Sequence, residues 1–121
     1  MKYVVIESHR SEYPRPISFA RGTLLQIGQR YEGEEDWQDW YLCSCEGQEP
    51  GWVPGQLIER LGVGQGRALE SYSAYELDAD PGQVMVGLRR LNGWLWCRRQ
   101  RNGELGWLPL EKLRQWTERS I

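Results

Sequence analysis

Apolar and polar positions along this chain alternate in short runs, and no stretch holds a convincing helical period. Tyr3-Val4-Val5-Ile6, Thr23-Leu24-Leu25-Gln26-Ile27, Trp40-Tyr41-Leu42-Cys43-Ser44 and Gly51-Trp52-Val53-Pro54 are rich in β-branched and aromatic residues, and Gly, Pro and acids fill the intervals. That pattern predicts short strands joined by polar turns. Glu46-Gly47-Gln48 and Arg101-Asn102-Gly103-Glu104 read as hairpin turns, and Pro14 and Pro16 punctuate a long early loop. The alternation assigns Ile6, Phe19, Leu25, Ile27, Cys43 and Val53 to one core and Leu69, Leu77, Val86, Cys97 and Leu108 to another. After Gly82 two registers compete. Val84, Val86 and Leu88 alternate as an inward set, whereas alignment with the first half of the chain turns Met85 and Gly87 inward.

That alignment exists because the chain repeats itself. Val5-Ile6-Glu7-Ser8-His9, Gly22, Trp40 and Gly51-Trp52-Val53-Pro54 return as Ala68-Leu69-Glu70-Ser71-Tyr72, Gly82, Trp94 and Gly106-Trp107-Leu108-Pro109. A period of about 55 to 60 residues is too long for a solenoid unit and suits a very small all-β domain. The expected division is a first barrel at 1–61, a Gly-rich linker at 62–66 and a second barrel at 67–121. So short a linker predicts that the barrels touch. Seven Trp, six Tyr and one Phe supply the buried area that such small units otherwise lack.

Charge separates the halves. Residues 1–61 carry six Lys/Arg against ten Asp/Glu, and residues 62–121 carry nine against seven. Glu32, Glu34, Glu35 and Asp36 crowd one loop, while Arg98, Arg99 and Arg101 crowd a hairpin. Three cysteines are poor disulfide arithmetic; Cys43 and Cys97 each follow a repeat tryptophan by three residues, which points to small core residues. No Cys or His pair has zinc spacing, and no phosphate-cradling Gly loop is present, so no metal or cofactor is expected. With one His and no catalytic constellation the chain reads as a non-enzyme. Nucleic-acid binding through Arg89, Arg90, Arg98, Arg99 and Arg101 around Trp94 and Trp96 is a third reading that overall acidity disfavours. No apolar run is long enough to span a membrane, and an early charge interrupts any signal core, so a cytoplasmic location is expected.

In order, these motifs resemble the SH3 domain, in its divergent bacterial variety, twice over. The first copy carries the resemblance through Val5 to His9, Ile17 to Gly22, Trp40-Tyr41, Gly51-Trp52-Val53-Pro54 and Ile58, and the second through Ala68 to Tyr72, Glu76-Leu77 to Gly82, Trp94-Leu95, Gly106 to Pro109 and Leu113. It implies an all-β fold of two tandem SH3-like five-stranded small barrels. It also implies a shallow aromatic groove on each, which binds proline-rich peptides in the polyproline-II conformation. The implied groove of the second copy is Tyr72, Glu76, Trp94, Trp107 and Pro109; that of the first, weaker, is His9, Trp40, Trp52 and Pro54. Glu76, near Asp78 and Asp80, stands where the family reads a basic ligand side chain. Both copies depart from the family at its first proline pocket, where two tyrosines are replaced by Glu7 and Leu57 in one and by Glu70 and Lys112 in the other. The expected function is a non-enzymatic adaptor or scaffold with a partly degenerate groove, engaging a protein or peptide that is proline-rich or basic. The alternative is a structural tandem whose copies pack together or self-associate.

Overall fold

The computed structural model describes residues 1–33 and 38–116. Most of the acidic loop read from the sequence, Glu34, Glu35 and Asp36, lies outside the described residues, as does Trp37. The strands, in chain order, are β1 (Lys2–Val5), β2 (Ser18–Phe19), β3 (Leu24–Arg30), β4 (Trp40–Ser44), β5 (Gly51–Pro54) and β6 (Ile58–Gly62). They continue as β7 (Gln65–Ala68), β8 (Tyr72–Ser73), β9 (Val84–Leu91), β10 (Trp94–Arg99), β11 (Leu105–Pro109) and β12 (Leu113–Gln115). Single 3-10 turns at Gly55–Leu57 and Leu110–Lys112 follow the two Gly-Trp-x-Pro motifs, and the described residues form no α-helix.

The chain is all-β, and its described residues form two five-stranded sheets with the same plan and a two-stranded sheet of β2 and β8. Of the five-stranded sheets, one runs β5-β4-β3-β7-β6 and the other β11-β10-β9-β1-β12. Each of these two draws one strand from the other sequence repeat. β1 lies between β9 and β12, with Tyr3 opposite Met85 on one side and Gln115 on the other. β7, its repeat equivalent, lies between β3 and β6, with Gly66 opposite Leu25 and Arg60. The compact units are accordingly Tyr13–Tyr75, here the inserted unit, and Met1–Glu12 with Glu76–Ile121, here the split unit. Packing therefore divides the chain differently from the 1–61, 62–66 and 67–121 partition that the repeat suggests.

The cause lies in the segment expected to be a linker. Gly62 pairs with Gln65, so Val63 and Gly64 alone reverse the chain and make β6 and β7 a hairpin. Gly64 supplies the positive φ of 70° that the turn needs. A turn this short obliges the two strands it joins to be antiparallel neighbours in one sheet. β7 thereby takes the place beside β3 and β6 that the first repeat's own opening strand would fill, and that strand, β1, fills the equivalent place beside β9 and β12.

The core of the split unit is Tyr3, Val5, Leu77, Ala79, Met85, Leu95, Cys97, Leu108 and Leu113. Ile17, Leu25, Trp40, Cys43, Val53, Leu57, Ile58, Ala68 and Tyr72 are the buried hydrophobic residues of the inserted unit. Several expected core positions shift. Ile6 and Leu69 are 50% and 48% exposed, because strand alternation buries the residue before each, Val5 and Ala68. Phe19, Ile27 and Val86 are half-buried. After Gly82 the register that follows the repeat prevails: Met85 is fully buried and Leu88 is exposed. Tyr3 enforces this choice, for a β-carbon on Gly87 would fall 2.6 Å from its ring. The glycines of the two Gly-Trp-x-Pro motifs answer to the same kind of contact. A β-carbon on Gly51 would meet Ile17 at 2.6 Å and one on Gly106 would meet Leu77 at 2.8 Å.

Both expected turns form, with Gly47 and Gly103 at φ 81° and 78°. Between β9 and β10 the chain reverses at Asn92-Gly93, both at positive φ, the backbone that matches a two-residue hairpin to strand twist. The Arg98, Arg99 and Arg101 cluster divides. Arg98 and Arg101 are exposed, whereas Arg99 is buried and donates to Gln83 Oε1 and to the Asp78 carbonyl, each at 2.6 Å.

Candidate functional site

In the split unit β10 and β11 set Trp94 opposite Pro109 and Trp96 opposite Trp107. Trp96 and Trp107 stack at a tilt, with centroids 5.2 Å apart. Trp96 was not among the groove residues expected from sequence, although its spacing of two from Trp94 places both on one face of the strand. The opposite wall is a loop made of two distant segments. His9 and Ala79 exchange both backbone hydrogen bonds at 2.9 Å, and Leu77 N–H donates to the Trp107 carbonyl at 3.1 Å.

Backbone pairing aligns three polar side chains. His9 Nε2 lies 2.7 Å from Glu76 Oε1, and Lys112 Nζ lies 3.1 Å from His9 Nδ1. A lysine ammonium can only donate, so Nδ1 accepts and Nε2–H donates to the carboxylate: the network assigns the neutral Nε2–H tautomer. The imidazole and the Trp94 ring form a T-shaped contact, with centroids 5.8 Å apart at 80°. The His9 and Glu76 side chains are only 9% and 14% exposed, so the pair sits in a poorly solvated setting where losing either partner is costly.

The acids expected to read a ligand are engaged with the chain's own residues. Glu76 holds His9, Asp78 Oδ1 accepts from Ser11 N–H at 2.8 Å, and Asp80 Oδ1 accepts from Arg10 Nη2 at 2.6 Å. The Asp80 hydrogen bond, and then its charge, raise the Arg10 pKa above the ordinary guanidinium value. Arg10 also donates to the carbonyls of His9 and Ala79 at 2.8 and 2.9 Å. Residues 9–11 thus hydrogen-bond all three acids of the segment 76–80, with Arg10 supplying a positive charge at Asp80.

The inserted unit builds its counterpart from Trp40 opposite Pro54 on β4 and β5, with Trp52 half-buried nearby in sequence. Tyr31 meets the Trp52 ring edge-on at 5.2 Å. Tyr72 O–H donates to the Trp52 carbonyl at 2.9 Å, and its ring lies 5.6 Å from Phe19. Strand exchange therefore swaps two expected groove residues. Tyr72 joins the unit of Trp40, Trp52 and Pro54, while His9 joins the unit of Glu76, Trp94, Trp107 and Pro109. Three of the tryptophans expected to line the grooves are well covered, Trp40 at 6%, Trp94 at 9% and Trp107 at 6% exposure. At the family's first proline pocket Leu57 is buried in the inserted unit, and Lys112 caps His9 in the split unit.

The cysteines are free thiols, Cys43 and Cys97 buried and Cys45 half-buried. Burial pushes the Cys43 and Cys97 thiols up to about 11 and about 12, far from thiolate chemistry. Among the described residues no group of three or more His, Cys, Asp and Glu could hold a metal ion. No helix among them is long and apolar enough to cross a membrane.

Two five-stranded all-β units, each with a Gly-Trp-x-Pro strand beside a tryptophan strand, place the chain among small β-barrel interaction domains. The family model described as Variant SH3 domain matches residues 2–61, and that stretch is similar to the variant SH3 family. Domains of this class generally bind protein peptides and are generally non-catalytic. No curated protein and no solved structure matches the chain. The matched stretch opens with β1, which packs in the split unit; the strand completing the inserted unit comes from residues 65–68, beyond the match.

Proposed function

We propose that this protein is a non-enzymatic adaptor or scaffold module built of two SH3-like units, with the split unit as its peptide-binding half. The observation that carries this reading is the grouping of Glu76, Trp94, Trp107 and Pro109 with His9 around one tryptophan face. At the family's first proline pocket Lys112, hydrogen-bonded to His9, stands in place of a tyrosine, so a ligand gains less apolar contact there and binds modestly. Free buried thiols suit a reducing compartment, in keeping with a cytoplasmic role. The test is titration of a basic proline-rich peptide, following the indole N–H signals of Trp94 and Trp107 by NMR. Those signals should shift, and Trp94→Phe should weaken binding about fivefold, the worth of one hydrogen bond of about 1 kcal/mol. Shifts confined to Trp40 and Trp52, or undiminished affinity in Trp94→Phe, overturn it.

The low exposure of Trp94 and Trp107 favours a second reading, in which the aromatic faces serve the architecture of the chain rather than a ligand. Under it the same titration leaves all indole signals unmoved.

A further inference from the structure

We propose that the segment 1–12 exchanges between two copies of this chain, so that β1 and His9 of each copy complete the split unit of the other in a closed, reciprocal dimer. β1 is an insertable element. Its neighbours in the sheet, β9 and β12, are both remote in the chain, and no hairpin ties it to either. Its covalent link to the rest of the protein runs through residues 6–12 to Tyr13, where the split unit ends and the inserted unit begins.

Everything that holds the segment is indifferent to its chain of origin. Tyr3 and Val5 fill the core, Ile6 N–H donates to the Lys112 carbonyl at 2.8 Å, and Trp116 N–H donates to the Lys2 carbonyl at 2.9 Å. Arg10 meets Asp80, and His9 sits between Glu76 and Lys112. All of these contacts form equally well in trans, so the dimer preserves them. What separates monomer from dimer is translational entropy against the conformation of the connecting residues. Those residues favour opening. Glu12, Tyr13, Pro14 and Arg15 are exposed, and Pro14 and Pro16 bias the residues before them to extended backbone. A sheet of this chain need not be completed by a strand of its own repeat, because β1 and β7 each serve the other repeat's sheet. In the dimer the tryptophan face of each split unit is a composite site, with His9 from one copy and Glu76, Lys112 and Trp94 from the other. The proposal is independent of what that face binds.

A short tether holds its end at an effective concentration in the millimolar range, so exchange should emerge when chains refold near ~1 mM and be scarce near ~10 µM. Light scattering on the unsubstituted protein refolded at both concentrations should show a dimer at the higher one. Its origin is tested by co-refolding Val4→Cys chains with Val84→Cys chains and oxidising the product. Val4 and Val84 face one another across β1 and β9, so only exchanged molecules can join the two variants by a disulfide. A covalent heterodimer from that mixture, absent when either variant is refolded with unsubstituted chain, is the expected result. A protein that stays monomeric at both concentrations overturns the proposal. So does a dimer that the Val4→Cys and Val84→Cys pair fails to capture.

Discussion

Cys43 and Cys97 occupy one position in the two repeats, and both are fully buried against neighbouring strands. Desolvation raises each thiol from 9.0, with Arg60 and Arg99 respectively pulling back less strongly, to about 11 and about 12. The folded protein therefore keeps protons that the unfolded chain releases above pH 9. The unfolded state then binds fewer protons, and stability falls as pH rises from 9 toward about 11 for Cys43 and about 12 for Cys97, by on the order of 1 kcal/mol per pH unit for each. Urea unfolding at pH 8 and pH 10.5 should show a steeper loss in the unsubstituted protein than in Cys43→Ala/Cys97→Ala. Equal losses in the two proteins would show that these thiols are not shielded as the structure has them. The burial of these cysteines was readable from their place in the repeat. The exposure of Ile6 and Leu69 was not, because an apolar pair at the end of a strand does not say which member faces the core until the sheet neighbours are known.

Among the elements, the β6–β7 hairpin decides the topology. The strand pattern was legible: Trp40–Ser44 and Gly51–Pro54 coincide with β4 and β5, and the turns at Gly47 and Gly103 fall where expected. The pairing of β1 was not, since alternation marks a segment as a strand without naming its neighbours. If the two-residue turn enforces the exchange, lengthening it relaxes the constraint. Val4→Cys/Val84→Cys should form an intramolecular disulfide in the dilute protein, because these residues are opposite in β1 and β9. Val4→Cys/Leu24→Cys should not, because Leu24 faces Arg67 of β7, the repeat equivalent of Val4. Inserting eight Gly/Ser residues between Val63 and Gly64 should allow the second disulfide to appear. Its continued absence would mean that side-chain fit between β1 and β9, and not turn length, selects the crossed pairing.

For the molecule as a whole the consequence is an inverted dependence on the amino-terminal segment. Deleting residues 1–6 removes Tyr3 and Val5 from the core of the split unit and opens the slot between β9 and β12. Taking two large apolar side chains from so small a core costs several kcal/mol, enough to unfold a marginal unit. The inserted unit contains none of the deleted residues. A heteronuclear NMR spectrum of the truncated chain should keep dispersed signals for residues 13–75 and lose dispersion for 76–116. Loss in the first half of the chain with retention of the second would show that β1 belongs to the sheet of its own repeat.

The sequence by itself determined the all-β strand pattern, the turns at Gly47 and Gly103, the resemblance to SH3 domains and the chemistry on offer, because these follow from local patterns. They are alternation, turn residues with the φ they need, and a repeat whose motif glycines mark close approaches at Gly51 and Gly106. Only the tertiary structure decided which strand completes which sheet, and with it the composition of each aromatic face. His9 and Tyr72 are equivalent in the repeat, yet each serves the face of the other copy, since a two-residue turn at Val63-Gly64 ties β7 to β6. Likewise Glu76, placed by sequence to meet a basic ligand, meets His9 from a segment 67 positions away. Such partnerships depend on chain connectivity and on which strands share a sheet, and neither is written in the residues that take part.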